Sequence, residues 1–144
     1  MVKTYKELRV YKNAIAGAIE IFQLTKSLPA EEKFSLIDQV RRSSRSVCAN
    51  IGEAWRKRRY QAAFVAKLND AESEAAETQV WVELALKFGY ISATQAAQLD
   101  DKYDHILAQL IWMISNSKDW IIQQPLAEPP TRRSADPAYS SEKR

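Results

Sequence analysis

The sequence predicts an all-α protein: an up-and-down antiparallel four-helix bundle with a disordered C-terminal tail. Three observations predict it. Four stretches carry apolar residues at intervals of three and four, the spacing of one helix face. Three glycines and five prolines occur in 144 residues, and four of those prolines lie after residue 124, so helix breakers are scarce before it. Hydrophobic residues make up 46% and charged residues 27%, a globular composition rather than a disordered one. The length fits one domain, expected over residues 1–124, large enough to bury roughly two-thirds of its unfolded surface.

The first helix is expected from about Tyr5 to Leu28, with Leu8, Tyr11, Ile15, Ala18, Ile19 and Phe22 as its apolar stripe and Pro29 as its stop. A second helix is expected from near Ala30, where Glu31 and Glu32 suit the positive end of the helix dipole. Its stripe is Ile37, Val40, Ser44, Val47, Ile51 and Ala54, and the Arg-Lys-Arg-Arg run at 56–59 marks its end. The third spans about Tyr60 to Phe88, with Phe64, Leu68, Ala71, Ala75, Thr78, Val82 and Ala85 alternating four and three. Gly89 is placed to end it in the left-handed conformation. Ser92 and Gln95 then form a capping box for a fourth helix carrying Leu99, Tyr103, Ile106, Leu110, Met113, Ser117 and Trp120. Short connections make sequential helices antiparallel neighbours. From Pro125 the periodicity vanishes, and residues 125–144, rich in Pro and Ser, are expected to be extended or disordered.

Apolar residues exceed what one buried face per helix requires. Leu110 to Ile114 wrap most of the fourth helix, and Val80, Trp81 and Val82 do the same on the third. Self-association through Trp81, Ile111 and Trp112 is expected; a wide core stripe with scattered exposed apolar groups is the alternative. No run of 18 apolar residues exists, so no membrane span is expected. The N-terminus opens directly into charged helical pattern rather than a signal peptide. With one cysteine, Cys48, no internal disulfide forms, and a reducing, cytoplasmic compartment is expected.

No catalytic constellation emerges, and neither a metal nor another cofactor is expected. A di-iron bundle needs Glu-x-x-His on two helices; the one histidine, His105, follows Lys102 by three residues. Cys48 beside Val47 and Ile51 reads as a small core residue rather than a nucleophile. Asp70, Glu74 and Glu77 share a helix face as an acid–base group or, more ordinarily, as a solvated acidic face.

Charge distribution says more than the net charge of +3. Arg41, Arg42, Arg45, Arg56, Lys57, Arg58 and Arg59 oppose Glu53 alone within residues 40–59. On a helical wheel Arg41, Arg45, Arg56 and Arg59 fall within about 60°, centred about 120° from the apolar stripe, in a line roughly 27 Å long. Guanidinium forks suit phosphate and stack on bases, and flanking Trp55 and Tyr60 favour structured or single-stranded RNA over a smooth duplex groove. The competing reading pairs this basic helix with the acidic third helix, within the chain or across a subunit interface.

Leu28-Pro29, Glu31-Glu32, Phe34, Leu36, Gln39, Arg41-Arg42, Ser46-Val47 and Asn50-Ile51-x-Glu53 fall in one register. Phe64, Leu68, Ala71, Ser73 and Glu77 continue it, and Tyr5-Lys6-Glu7-Leu8 through Ala14 precedes it. Over residues 3–122 this pattern resembles the four-helix bundle proteins encoded in intervening sequences of bacterial large-subunit ribosomal RNA genes. Ala54 stands where that family usually has Gly, which lets helix two run further. The family is also similar to the accessory protein of diversity-generating retroelements. The resemblance implies a ring-like pentamer and no enzyme activity. The retroelement relatives bind nucleic acid and a reverse transcriptase through basic surface, which maps onto Arg41, Arg42, Arg45, Arg56, Lys57, Arg58 and Arg59. In the family pattern Ser46, Asn50, Glu53, Ser73 and Glu77 are polar; a hydrogen-bonded layer between helices two and three is expected, with a ligand site as the alternative. Two functions follow: an oligomeric module binding RNA through the basic stripe, or a protein-interaction scaffold such as a reverse-transcriptase accessory subunit with no nucleic-acid role of its own.

Overall fold

The computed structural model describes residues 1–122, and the tail expected over 125–144 lies outside them. Four helices form: α1 (Arg9–Thr25), α2 (Leu36–Arg56), α3 (Gln61–Lys87) and α4 (Ala93–Ser115). Each packs against its two neighbours in the ring α1–α2–α3–α4, and no Cα atoms of a diagonal pair come within 8 Å of each other. The architecture is an up-and-down bundle, and no strand is present among the described residues.

The expected stripes of α2, α3 and α4 form the core, buried from Ile37 to Ala54, Phe64 to Ala85 and Leu99 to Met113. Ser43 and Thr78 bond to each other across α2 and α3 at 2.8 Å within this core, and Thr78 also donates to the Glu74 carbonyl, so both hydroxyls are satisfied. The ends of α3 and α4 follow from their termination chemistry. Gly89 adopts φ +80°, and the Tyr90 N–H reaches back to the Ala85 carbonyl at 2.9 Å. Ser92 and Gln95 close the capping box in both directions.

Helix α1 corrects the sequence reading. Its buried residues are Val10, Ala14, Gly17, Ile21 and Thr25, a face turned by about one residue from the expected one. Ile19 is 56% exposed and Phe22 37% exposed. Two registers of α1 are almost equally apolar, and size decides between them. A Cβ at Gly17 would lie 2.7 Å from the hydroxyl of the fully buried Tyr103, so only a glycine face admits that ring. The start is corrected too. Leu8 is extended (φ −64°, ψ 131°), and Tyr5–Glu7 form a separate 3-10 turn whose Tyr5 ring packs against Tyr11 and over Gly52.

Helix α2 begins six residues later than expected, at Leu36 rather than Ala30. Residues Ala30–Glu32 make a 3-10 turn, and the Glu32 carboxylate accepts from the Ser35 hydroxyl, the Tyr90 hydroxyl and the Leu36 N–H. The acid still serves the start of the helix, but from outside it. α2 ends at Arg56, the first residue of the basic run, so Ala54 does not extend it. α4 also ends earlier, at Ser115; Ser117–Trp120 form a 3-10 turn that lays Trp120 edge-on against Trp55 at 6.4 Å.

Tyr103 Oη is buried without a hydrogen-bond partner among the described residues, a defect that costs about 1–3 kcal/mol. Tyr103→Phe should therefore stabilise the protein by about 1 kcal/mol, raising Tm by roughly 3 °C. Gly17→Ala should destabilise it by about 1–3 kcal/mol through overpacking. Denaturant titration checks both, and a destabilised Tyr103→Phe would contradict the assignment. The hydrogen bonds from Ser35, Tyr90 and Leu36 hold the Glu32 carboxyl below its ordinary range. A depressed value stabilises above the unfolded-state value and is lost as pH falls through the folded one. Glu32→Gln should thus lower Tm at neutral pH, and the deficit should vanish in acid. Thermal melts across pH read this out; a constant deficit would contradict it.

Candidate nucleic-acid interface

One half of the circumference of α2 is buried and the other faces outward. Asp38, Arg41, Arg42, Arg45, Ala49, Gly52 and Arg56 lie on the outward half. The seven cations predicted from sequence meet different fates there. Arg45, Arg56, Lys57 and Arg59 are exposed and have no carboxylate of the described residues within 4.0 Å. Arg42 is exposed and reaches Asp38, one turn earlier, at 3.9 Å. Arg41 bends back onto α1: its Nε donates to Thr25 Oγ1 at 2.8 Å, and its guanidinium lies 4.9 Å from the Phe22 ring centre. Lys26 approaches the same ring at 4.7 Å, a cation the sequence reading did not single out.

Arg58 is half-buried. Its guanidinium stacks on Trp55 at 3.4 Å, and its Nε donates to the Trp55 carbonyl at 2.8 Å. Burial, with Arg56 close by, lowers the Arg58 pKa from its ordinary value without discharging it. Trp55 is itself buried between Arg58 and Trp120, so it is not an open stacking platform; Tyr60, 71% exposed, is one. Because α2 stops at Arg56, Lys57 to Arg59 sit in the turn before α3. The helical stripe therefore runs from Arg41 to Arg56, about 22 Å rather than 27 Å.

The ion pair between α2 and α3 has the opposite polarity to the one expected. Lys67 of α3 meets Glu53 of α2 at 2.7 Å, which raises the Lys67 pKa, and Asp70 lies 3.8 Å from the same ammonium. Lys67 also approaches Asn50 Oδ1 at 3.4 Å, and Asn50 donates to the Ser46 carbonyl and hydroxyl. The predicted polar group thus divides. Ser46, Asn50 and Glu53 come together around Lys67, whereas Ser73 is exposed and Glu77 accepts from Trp81 Nε1 at 3.2 Å. Burial, then Glu77 and Asp70, push the Glu74 carboxyl above its usual range. The fully buried polar contact between these helices is Ser43 with Thr78, which the sequence reading missed: it counted Thr78 in the apolar stripe of α3 and left Ser43 outside that of α2.

The predicted interface residues also separate. Gln79 bonds to the Asp100 carbonyl and the Asp104 carboxylate, which fixes the axial level of Trp81 on α4. Ile111 and Trp112 lie about two turns (~12 Å) beyond Asp104, and both are at least half exposed, while Trp81 is half-buried. His105 is exposed on α4. No group of three or more metal-ligating side chains converges among the described residues, and none of their helices is long and apolar enough to cross a membrane.

Together these features define a four-helix bundle protein with a basic arc on one helix and a basic turn at one end. The chain belongs to the 23S rRNA-intervening sequence protein family, whose model matches residues 6–111. A solved structure of a protein of unknown function from the S23 ribosomal protein family, from Bacteroides thetaiotaomicron VPI-5482, is similar: 36% identical, TM-score 0.67, covering 73% of this chain and 97% of that one. Among curated proteins none matches.

Burial pushes the Cys48 thiol up to about 11. Its thiolate at pH 8 is then about a hundredfold scarcer than for a thiol of ordinary pKa. A thiol reagent at pH 8 should label the native protein at least that much more slowly than the unfolded chain. Rapid stoichiometric labelling of the native protein would contradict this placement.

Proposed function

We propose that this protein is a non-catalytic, cytoplasmic module that binds RNA through the basic arc of α2 and the turn that follows it, working as a homo-oligomer. One observation carries the reading: Arg45, Arg56, Lys57 and Arg59 face outward with no carboxylate of the described residues within 4.0 Å. Unpaired cations in a row are the electrostatic footprint of a polyanion partner. The acidic residues of α3 do not neutralise them, since Glu53–Lys67 is the cross-helix pair. The family's name, which refers to 23S rRNA, supports RNA as the polyanion. Self-association is supported by Val80 and Ile111, each at least half exposed; the pentamer is the assembly that the sequence resemblance implies.

The second reading, a protein scaffold serving a partner such as a reverse transcriptase, draws on these groups together with the exposed Trp112 indole, because aromatic residues are favoured at interfaces. Gel shifts over a salt series separate the two. The variant Arg45→Glu/Arg56→Glu/Arg59→Glu spares Arg41, which holds α1. It should weaken RNA binding at least tenfold and flatten the salt dependence by about 2 in log–log slope, at ~0.7 per lost phosphate contact. Salt-independent binding, or unchanged binding by the triple variant, would defeat the RNA reading and leave the scaffold. Mass measurement in solution tests the oligomer, and a monomer would refute it.

A further inference from the structure

The antiparallel order brings the start of α1, the α2–α3 turn and the end of α4 to one end of the bundle. A groove of 440 Å³ opens there, walled by Val2, Leu8, Val10, Trp112, Met113 and Trp120, within the volume range of small-ligand sites, ~300–1,000 Å³. Trp112 is 58% exposed, so a flat indole is presented to whatever enters. Glu7 and Arg9 line the groove from the N-terminal segment, and Lys3 and Lys6 are exposed on the same segment, which therefore carries three cations against one carboxylate. The far wall, Trp120, packs on Trp55, which Arg58 covers, and the Ile122 N–H donates to the Arg58 carbonyl at 2.9 Å. The wall and the basic turn are therefore one packed unit. The Tyr5 ring, lying over Gly52 one turn before Arg56, ties the N-terminal segment to the same arc. Trp112, Met113 and Trp120 all lie beyond the residues 6–111 that match the family model.

An apolar hollow with an exposed indole, set between a net-positive N-terminal segment and the packed unit that carries the basic turn, complements a ligand that is flat and apolar at one point and anionic on either side of it. We infer that this groove is a base-stacking subsite for single-stranded RNA. An unpaired base lies against Trp112, while the adjoining phosphates meet the N-terminal cations on one side and the 56–59 turn on the other. The inference rests on the RNA reading and adds a substrate class to it. Duplexes keep their bases stacked internally and cannot offer one to the groove, whereas aromatic platforms beside cationic grooves are the means by which proteins hold single strands.

The test compares Trp112→Ala and Trp112→Phe with wild type and with the charge-reversed triple variant. The probes are a mixed-sequence RNA 12-mer and the blunt duplex of that sequence, titrated at two salt concentrations, with the mass of the assembly measured in parallel. Trp112→Ala should weaken single-strand binding about tenfold or more, in keeping with the loss of one base-stacking contact. It should change duplex binding less than about twofold and leave the salt slope unaltered, since no phosphate contact is removed. Trp112→Phe should retain most of the single-strand affinity. Equal losses on both probes, or none on either, would overturn the subsite while the triple variant's loss upheld RNA binding. A drop in assembly mass with RNA affinity unchanged would also overturn it, assigning the groove to a second copy of the chain. Failure of the wild-type protein to bind either RNA would sink the RNA reading and the subsite together.

Discussion

The contact between Tyr103 and Gly17 is the constraint from which much of this bundle follows. A buried tyrosine ring needs the depth that only an α1 face without a side chain provides. Turning Ala14 and Gly17 inward rotates Tyr11, Ile15 and Ala18 to the edge of the core and Phe22 beyond it. Thr25 is buried by the same rotation, and it becomes the acceptor that draws Arg41 out of the basic row. Phe22, left partly in solvent, carries both Arg41 and Lys26 on its ring. A packing decision between α1 and α4 thus reaches the charged surface of α2.

How much of this was legible depended on how many registers each helix offered. On α3 and α4 the residues away from the stripe are too polar or too intermittently apolar to compete, so Phe64 to Ala85 and Leu99 to Met113 could be read directly. On α1 the rows Tyr11–Ile15–Ala18–Phe22 and Val10–Ala14–Gly17–Ile21 both qualify, and hydrophobicity does not separate them. The signal that separates them is steric, a glycine opposite a large ring, and it requires knowing which helix lies opposite. The site was legible in composition but not in detail. Seven cations could be counted, but a wheel drawn through residue 59 assumed a helix that ends at Arg56. Trp55 looked like an open aromatic beside the arginines, and its burial under Arg58 arises from the Ser117–Trp120 turn folding back, which no local pattern announces.

The electrostatics of the α2–α3 seam show why net charge per helix is a poor guide to pairing. A strongly basic helix beside an acidic one suggests a zipper of arginines and carboxylates, yet the packed faces are apolar and the charges are displaced to opposite outer arcs. At the seam itself the signs are reversed, with an acid contributed by the basic helix and a lysine by the acidic one. This pair is partly solvated, and exposed ion pairs contribute only about 0–1 kcal/mol to stability. Its effect is to occupy Glu53, the one carboxylate within residues 40–59, and so to leave Asp38, which approaches Arg42, as the counter-charge on the outward arc.

An even number of antiparallel helices returns the chain to the level at which it began. Val2 and Trp120 stand on the walls of a single hollow, so the two ends of the described segment lie close together in space. The backbone from Val2 to Trp120 is in effect a nearly closed loop. A short bridge across that hollow would make it continuous, and the loop could be reopened in the Lys26–Ser35 connection without cutting any of the four helices. The order in which the helices are synthesised is therefore separable from the order in which they pack.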